Sequence, residues 1–250
     1  MEAIKDLLFR MADDELIIGH RNSEWTGIGP ILEEDLAFSS MAQDKLGHAL
    51  ANYTMLEKEF GEKNPDGLAF AREEKNFRCC QLVEFPIGEY DFTLVRHFLF
   101  DYAEWCRYDL LQHSSFAPLA AYSKKIKGEL KYHLLHADTW MIKLGNSTEV
   151  AHARMQSSLN EVFTMALSIF EAGNFEQELI DRKIFAGEVA LQKMWEERIY
   201  PVLEKANLKI PAVKNSQQYF GGRKGLHTEH LQPLLKEMGE VIRTNTHTEW

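Results

Sequence analysis

Apolar residues recur every three or four positions along most of the chain, with polar residues between them. This spacing is that of an amphipathic helix, because it places the apolar side chains on one face. In the first segment, roughly residues 2–22, that face carries Leu8, Met11 and Ile18. Strand-type alternation with a period of two is nearly absent, so the pattern predicts an all-α fold.

Glycine- and proline-rich stretches separate the helical segments and predict the turns between them. Pro30, in the sequence GIGP, suits the first turn of the second helix, and Ser147 or Thr148 suits the N-cap of a later one. Pro201 is expected to cut the helix in which it falls. The main predicted helices are, in chain order, about 2–22, 30–60, 91–113, 118–143, 148–171, 175–182, 186–206 and 228–244.

The sequence contains no linker, low-complexity tract or internal repeat that would indicate a domain boundary. A helical solenoid is therefore disfavoured, since it needs a repeated unit of about 20–50 residues. We expect a single domain over residues 1–250, built as an antiparallel helical bundle with additional C-terminal helices.

Composition narrows the functional classes. A formal net charge of −10 over 250 residues argues against nucleic acid or an anionic membrane as the main partner. The three cysteines, Cys79, Cys80 and Cys106, show no C-x-x-C spacing, which favours a reduced protein. The N-terminus has no signal-peptide pattern and no window resembles a membrane span, so a cytoplasmic protein is expected.

Polar residues interrupt the apolar stripe of each of the first four long helices. They are Glu15 on the first, Lys45 and His48 on the second, Asp101 on the third and His133 on the fourth. A single histidine on an apolar face is more often a hydrogen-bonded core residue than a metal ligand. A buried charge is costly unless it is paired, however, so one such residue on every helix predicts that these groups meet.

The order of these residues resembles the plan of di-iron carboxylate proteins. In that plan two helices each give one carboxylate, and two others each give Glu-x-x-His. Here Lys45 and Leu130 stand at the two positions of the motif glutamates. Asp44 and Glu129 lie one position away, off the stripe, and are interpreted as solvated or supporting groups. A di-iron ligand set is therefore incomplete.

Lys45 places an ammonium where a ligand belongs, and that charge repels a metal ion. We hypothesise that Lys45 replaces the metal charge and bridges Glu15 and Asp101 in a closed polar cluster. No catalytic residue, metal or cofactor is then expected in this chain. One alternative stays open, a single weakly held metal on Glu15, His48, Asp101 and His133.

Several segments carry a family resemblance over essentially the whole chain, from SEWTG at 23–27 to Trp250. They are DDELIIG, AQDKLGHA, FLFDYAEW, IKGELKYHLLHAD and, most specific, the C-terminal GGRKGLHTEHLQPLLKEM. With these segments the chain resembles the C-subunit group of bacterial phenylacetyl-CoA epoxidases (ring 1,2-epoxidases), in the phenylacetic acid catabolic protein family.

The resemblance implies a ferritin-like fold and a division of labour. In that monooxygenase complex a related catalytic oxygenase subunit holds the di-iron centre and binds phenylacetyl-CoA, while a reductase supplies electrons from NADPH. The resembling subunit is structural and has no working metal site. The expected function is thus that of a non-catalytic partner of the di-iron subunit, with a second copy of itself as a further partner.

Two other functions stay open. One is an independent metal-dependent oxidoreductase with a reduced ligand set, and the other is a generic helical binding protein. Because Lys45 and Leu130 depart from the ligand motifs, the catalytic residues of the di-iron subunit are not carried over to this chain.

The segment 220–230, FGGRKGLHTEH, is a second candidate site. His227 and His230 have a spacing that suits zinc, but no third and fourth ligands are evident nearby. Arg223 and Lys224 belong to a flexible basic loop, which precedes the histidine pair with its intervening Glu229. This loop could contact a partner protein or an anion such as the CoA phosphates. The partner role is favoured. Cys79 and Cys80 have no histidine at a telling spacing, and no catalytic role is expected for them.

Overall fold

The computed structural model describes residues 1–213 and 215–244, and all regular secondary structure in these residues is helical. The predicted all-α fold class is confirmed. Trp250, where the family resemblance ends, lies outside the described residues. The α-helices are α1 Glu2–Ser23, α2 Leu32–Phe60, α3 Pro65–Phe70, α4 Gln81–Glu84, α5 Tyr90–Leu111, α6 Ala117–Gly145, α7 Glu149–Ala166, α8 Glu176–Asp181, α9 Glu188–Lys205, α10 Leu231–Met238 and α11 Glu240–Thr244.

Several predicted boundaries are corrected. Pro201 does not cut α9. Proline has no backbone N–H and so removes one helical hydrogen bond, but the buried side chains of Ile199, Val202 and Leu203 stabilise the helix on both sides of it. Pro30 lies just before α2 instead of in its first turn. The predicted helix near 228–244 is two helices, α10 and α11, and α7 continues as a 3-10 turn from Leu167 to Phe170. Thr148 does cap α7, accepting a hydrogen bond from the Ala151 N–H.

The chain divides into two compact units. The first comprises Met1–Pro86 together with the segment that begins at Phe220, and the second comprises Ile87–Tyr219. The expectation of a single domain over residues 1–250 stays a prediction. No helix in the described ranges is long and apolar enough to cross a membrane.

In the first unit, α1 and α2 pack as an antiparallel pair. Lys5 forms an ion pair with Glu62 at 2.5 Å at one end, and the rings of Trp25 and Phe38 lie 6.2 Å apart at the other. A side chain at Gly19 would place its Cβ 3.1 Å from the Cβ of Lys45. The small residue therefore lets the two helices approach closely at Lys45.

In the second unit, α5 packs against α6, α7 and α9. Trp195 of α9 is fully buried, and its indole N–H donates to the backbone carbonyl of Leu99 at 2.9 Å. Its ring also packs against Phe163 and Phe170. On the other side α5 and α6 run antiparallel, and Tyr102 donates its hydroxyl to Asp138 at 2.9 Å.

Candidate functional site

Helix α1 carries three consecutive buried acidic residues, Asp13, Asp14 and Glu15. Successive residues of an α-helix point about 100° apart, so the three carboxylates face different parts of the first unit. Asp13 accepts hydrogen bonds from the Tyr53 hydroxyl at 2.5 Å and from Arg72. Only Glu15 faces Lys45 and His48 on α2. Each acid therefore has its own partners, and the Glu15 site is separate from the other two.

We call Glu15, Lys45 and His48 the lysine site. The Lys45 Nζ lies 3.7 Å from the Glu15 Oε2, which is an ion pair somewhat longer than a hydrogen bond. The His48 Nδ1 lies 3.6 Å from the same oxygen. The three side chains are at most 4% exposed, so little water screens this pairing. Asp101 belongs to the second unit, and its predicted bridge to Lys45 stays a prediction.

The second unit contains a related group on α5 and α6, which we call the histidine site. Its members are His97, Asp101, Glu104 and His133, all buried. The Asp101 Oδ2 lies 2.8 Å from the His97 Nδ1 and 3.8 Å from the His133 Nδ1. Asp101, Glu104 and His133 each offer a ligand atom, and these atoms lie within 4.8 Å of one another. The three side chains could hold one metal ion.

Burial decides the charge of His97. Removal from water is the main reason that its pKa falls to about 4, although the Asp101 carboxylate acts in the opposite direction. The imidazole is therefore neutral near pH 7, and its Nδ1 lies 2.8 Å from the Asp101 Oδ2. The ring of His136 meets that of His97 edge-on at 5.5 Å. The histidine site thus presents a carboxylate to imidazoles, where the lysine site presents one to an ammonium.

Neither site supplies the Glu-x-x-His pair of a dinuclear iron centre. Lys45 occupies the glutamate position before His48, and its ammonium opposes a metal at that point. Leu130 occupies the position before His133 and is fully buried, so no carboxylate stands there either. The residues present do not fit a di-iron cofactor bound in the usual way, which needs four carboxylates.

Sequence reasoning missed two members of the histidine site. Glu104 lies three residues after Asp101, and His97 lies four residues before it. Both spacings place a side chain on the same face of a helix, so the helical period alone could have indicated them. They escaped because each fell beside the stripe of apolar residues and not on it.

The second candidate site is corrected for Arg223. The guanidinium is 2% exposed and donates to both carboxylate oxygens of Asp14 at 2.8 Å, so it does not lie on an exposed loop. The bidentate hydrogen bond to Asp14 compensates the Arg223 guanidinium for its lost hydration and so allows this side chain to be buried. Lys224 and Glu229 are exposed, as a contact surface requires.

The two histidines of that segment separate. The His227 Nδ1 lies 2.7 Å from the Glu84 Oε1, whereas the ring of His230 packs against that of Phe85 at 5.2 Å. Within the described ranges, no potential metal group contains both. The zinc pair considered from their spacing is not formed, and a different partner set surrounds His227.

Two comparisons with known proteins agree with the motifs. The sequence model of the family described as "Phenylacetic acid catabolic protein" matches residues 1–250. The chain is also 33% identical over 251 residues to the C subunit of the 1,2-phenylacetyl-CoA epoxidase of Escherichia coli (strain K12). That alignment covers 100% of both chains.

Proposed function

The chain belongs to the phenylacetic acid catabolic protein family, and from this premise we propose that it is a structural subunit of a phenylacetyl-CoA 1,2-epoxidase in aerobic phenylacetate degradation. In this proposal the chain pairs with a related di-iron subunit, which activates dioxygen and binds the CoA thioester. The chain itself holds no di-iron cofactor and has no catalytic residue. Its contribution is to fix the shape and position of the catalytic subunit.

The observation that carries the non-catalytic role is the position of Lys45. Its ammonium lies 3.7 Å from Glu15 in a fully buried place, so the carboxylate already has a covalently tethered cation. Attraction between opposite charges is strong where water is excluded, and a second cation would meet repulsion from the first. Lys45 therefore supports a site that is kept closed without iron.

The surface of α2 supports a protein partner. Leu32, Leu36 and Leu50 are 54–70% exposed, and their spacing places them within about 40° of one another around the helix axis. Exposed leucines aligned on one helix face are characteristic of a surface that another protein covers. We assign this face to the catalytic subunit.

Co-expression with the catalytic subunit of the same complex tests the pairing. The wild-type chain is expected to co-purify with it, and the double variant Leu36→Asp/Leu50→Asp is expected to lose it while keeping its own melting temperature. Val189→Asp is a matched control, because Val189 is 86% exposed but lies on α9 in the second unit. A wild-type chain that does not co-purify leaves only a generic helical protein.

Metal analysis separates the proposal from an independent oxidoreductase. The purified chain is expected to contain no stoichiometric iron, whereas the catalytic subunit purified alongside it does. Two irons per chain would refute the structural role. Light scattering of the purified chain measures the proposed pairing with a second copy, for which a mass of twice 28.9 kDa is expected.

A further inference from the structure

A group of three potential metal ligands lies in the first unit, away from the lysine site. Cys79 and Glu84 flank the start and end of α4, and His227 follows the 3-10 turn at Gly222–Lys224. The Cys79 Sγ lies 3.7 Å from the Glu84 Oε1 and 3.9 Å from the His227 Nδ1. The Glu84 Oε1 and the His227 Nδ1 are 2.7 Å apart. We call these three residues the clasp, because they join the residues around α4 to the C-terminal segment that begins at Phe220.

The backbone holds the two segments of the clasp close together. A Cβ added at Gly222 would lie 2.2 Å from the Cys79 carbonyl oxygen, so only glycine allows this approach. Gln81 donates its side-chain amide to the Leu226 carbonyl at 3.0 Å. The clasp is therefore a fixed arrangement and not a chance meeting of surface side chains.

Two ligands of the clasp, His227 and Glu84, are oriented by further hydrogen bonds. The Phe77 backbone carbonyl, which can only accept, lies 3.2 Å from the His227 Nε2 and so fixes the proton on that nitrogen. The backbone N–H and the hydroxyl of Thr228 donate to the Glu84 Oε2 at 2.6 and 2.7 Å. The Nδ1 and the Oε1 are left facing each other and the thiol. Protein metal sites orient their histidines and carboxylates in this way.

We propose that Cys79, Glu84 and His227 bind one thiophilic divalent cation of the zinc class, which fastens the C-terminal segment to the residues around α4 within the first unit. The Nδ1 and the Oε1 lie 2.7 Å apart and share a proton in this arrangement, and a metal ion can replace that proton. A tetrahedral zinc ion, with bonds of about 2.3 Å to sulfur and about 2.0 Å to nitrogen or oxygen, holds such ligand atoms about 3.3–3.6 Å apart. The two sulfur distances are near these values, and the nitrogen–oxygen pair has to open by about half an ångström.

The chemistry of the donors selects the metal. One thiolate, one imidazole and one carboxylate suit zinc or cobalt, whereas magnesium and calcium prefer oxygen ligands alone. Burial, followed by the Glu84 charge, raises the pKa of the Cys79 thiol, so the sulfur stays protonated until a metal binds. Binding displaces to solvent the thiol proton and the proton between His227 and Glu84. The fourth position falls to a water molecule, as in other three-ligand zinc sites.

Titration of the purified full-length chain with cobalt(II) and zinc(II) salts tests the clasp directly. The side chains of Glu84 and His227 are 0% exposed, so each metal is added both to the native chain and during refolding. We expect one equivalent of cobalt, a near-ultraviolet thiolate-to-cobalt absorption band that zinc abolishes, and a rise of the melting temperature with zinc concentration. These readouts do not depend on any epoxidase activity, and the inference does not rest on the proposed function.

Two variants and one control assign the ligands. Cys79→Ser is expected to lose the thiolate band, and His227→Gln to weaken cobalt binding by at least tenfold. Cys106→Ser removes another buried cysteine, in the second unit, and is expected to bind like the wild type. Wild-type protein that takes up no cobalt by either route overturns the proposal even if a variant fails to fold. A thiolate band that survives in Cys79→Ser also overturns it.

Discussion

The lysine site and the histidine site each lie on an antiparallel helix pair, yet their carboxylates face partners of different charge. Glu15 faces a lysine that belongs to the same unit, whereas Asp101 faces two imidazoles, one of which is neutral near pH 7. Three residues before the site histidine stands the charged Lys45 in the first case and the apolar Leu130 in the second. The glutamate of a Glu-x-x-His motif is thus replaced by a cation in the lysine site and by an ordinary core residue in the histidine site.

The two routes have different energetic consequences. A buried ion pair is only weak evidence of stability, because replacing both partners by apolar groups is often neutral. Removing one partner is costly, since the other charge stays buried alone. A substitution at Lys45 should therefore lower the free energy of unfolding mainly by leaving the Glu15 charge unpaired. A substitution at Leu130 should lower it only as far as it changes the side-chain volume. The predictions below run from the largest expected effect to the smallest.

Lys45→Met should have the largest effect. Methionine fills much of the space of lysine but leaves the Glu15 carboxylate buried without its ammonium, which costs about 3–5 kcal/mol. Urea unfolding of the purified chain measures the change in the free energy of unfolding. The double variant Lys45→Met/Glu15→Gln should recover most of the loss. An unchanged unfolding midpoint in the single variant would show that the buried Glu15 carboxylate does not need the Lys45 ammonium for stability.

Leu130→Ala should cost about 2–5 kcal/mol, because it leaves a cavity in a fully buried position. Leu130→Met preserves the volume and should cost less than about 1.5 kcal/mol. The same unfolding measurement compares the two. If Leu130→Met is as damaging as Leu130→Ala, the position does not behave as simple packing and the contrast with Lys45 fails.

Asp101→Asn should have a smaller effect, about 1–3 kcal/mol. The amide keeps the size of the side chain, but the negative charge beside the two imidazoles is lost. Asp109→Asn, on the same helix and partly exposed, is the control and should change the stability by less than about 1 kcal/mol. A loss as large as that of Lys45→Met would mean that the histidine site also contains an obligatory ion pair.

A pH series should show the smallest effect and give the background for the comparison. Burial lowers the pKa of His20, on α1 beyond the lysine site, below its unfolded value of about 6.5. Below that pH the unfolded chain binds a proton at this residue more readily than the folded chain. His20 should therefore make the stability fall as the pH drops through 6.5, and it should contribute less than about 1.4 kcal/mol per pH unit beside the fall that the lowered pKa of His97 adds.

His20→Gln should remove that part of the slope and leave the stability near pH 8 almost unchanged. Unfolding curves between pH 5 and 8 measure it. An unchanged slope in the variant would assign the pH dependence to other groups, such as His97, whose pKa burial also lowers.

The helical period allowed both sites to be found because it is a local property of the sequence. Glu15, Lys45, His48, Asp101 and His133 were each recognisable as a polar residue on an apolar face, and all five are buried. Their partners within one helix pair followed from antiparallel packing. The catabolic family, by contrast, came only from the motifs, since no spacing of charges specifies a CoA thioester.

Contacts between distant segments could not be found in this way. Glu84 and His227 are 143 residues apart, and no period links a short turn to a C-terminal loop. Arg223 was recognisable only as part of a basic loop, because its partner Asp14 lies 209 residues earlier in the sequence. Residues near α4 and residues of the C-terminal segment both donate hydrogen bonds to Asp14, and the local pattern of α1 does not reveal these contacts.

The bond between Asp14 and Arg223 has a consequence for synthesis of the protein. The two residues are separated by 209 positions, so the ribosome makes the acid long before its guanidinium. At about 5–20 residues per second the interval is roughly 10–40 s. During that time Asp14 on α1 lacks its Arg223 partner. Synthesis of the first unit begins before that of the second, yet the first unit is completed last.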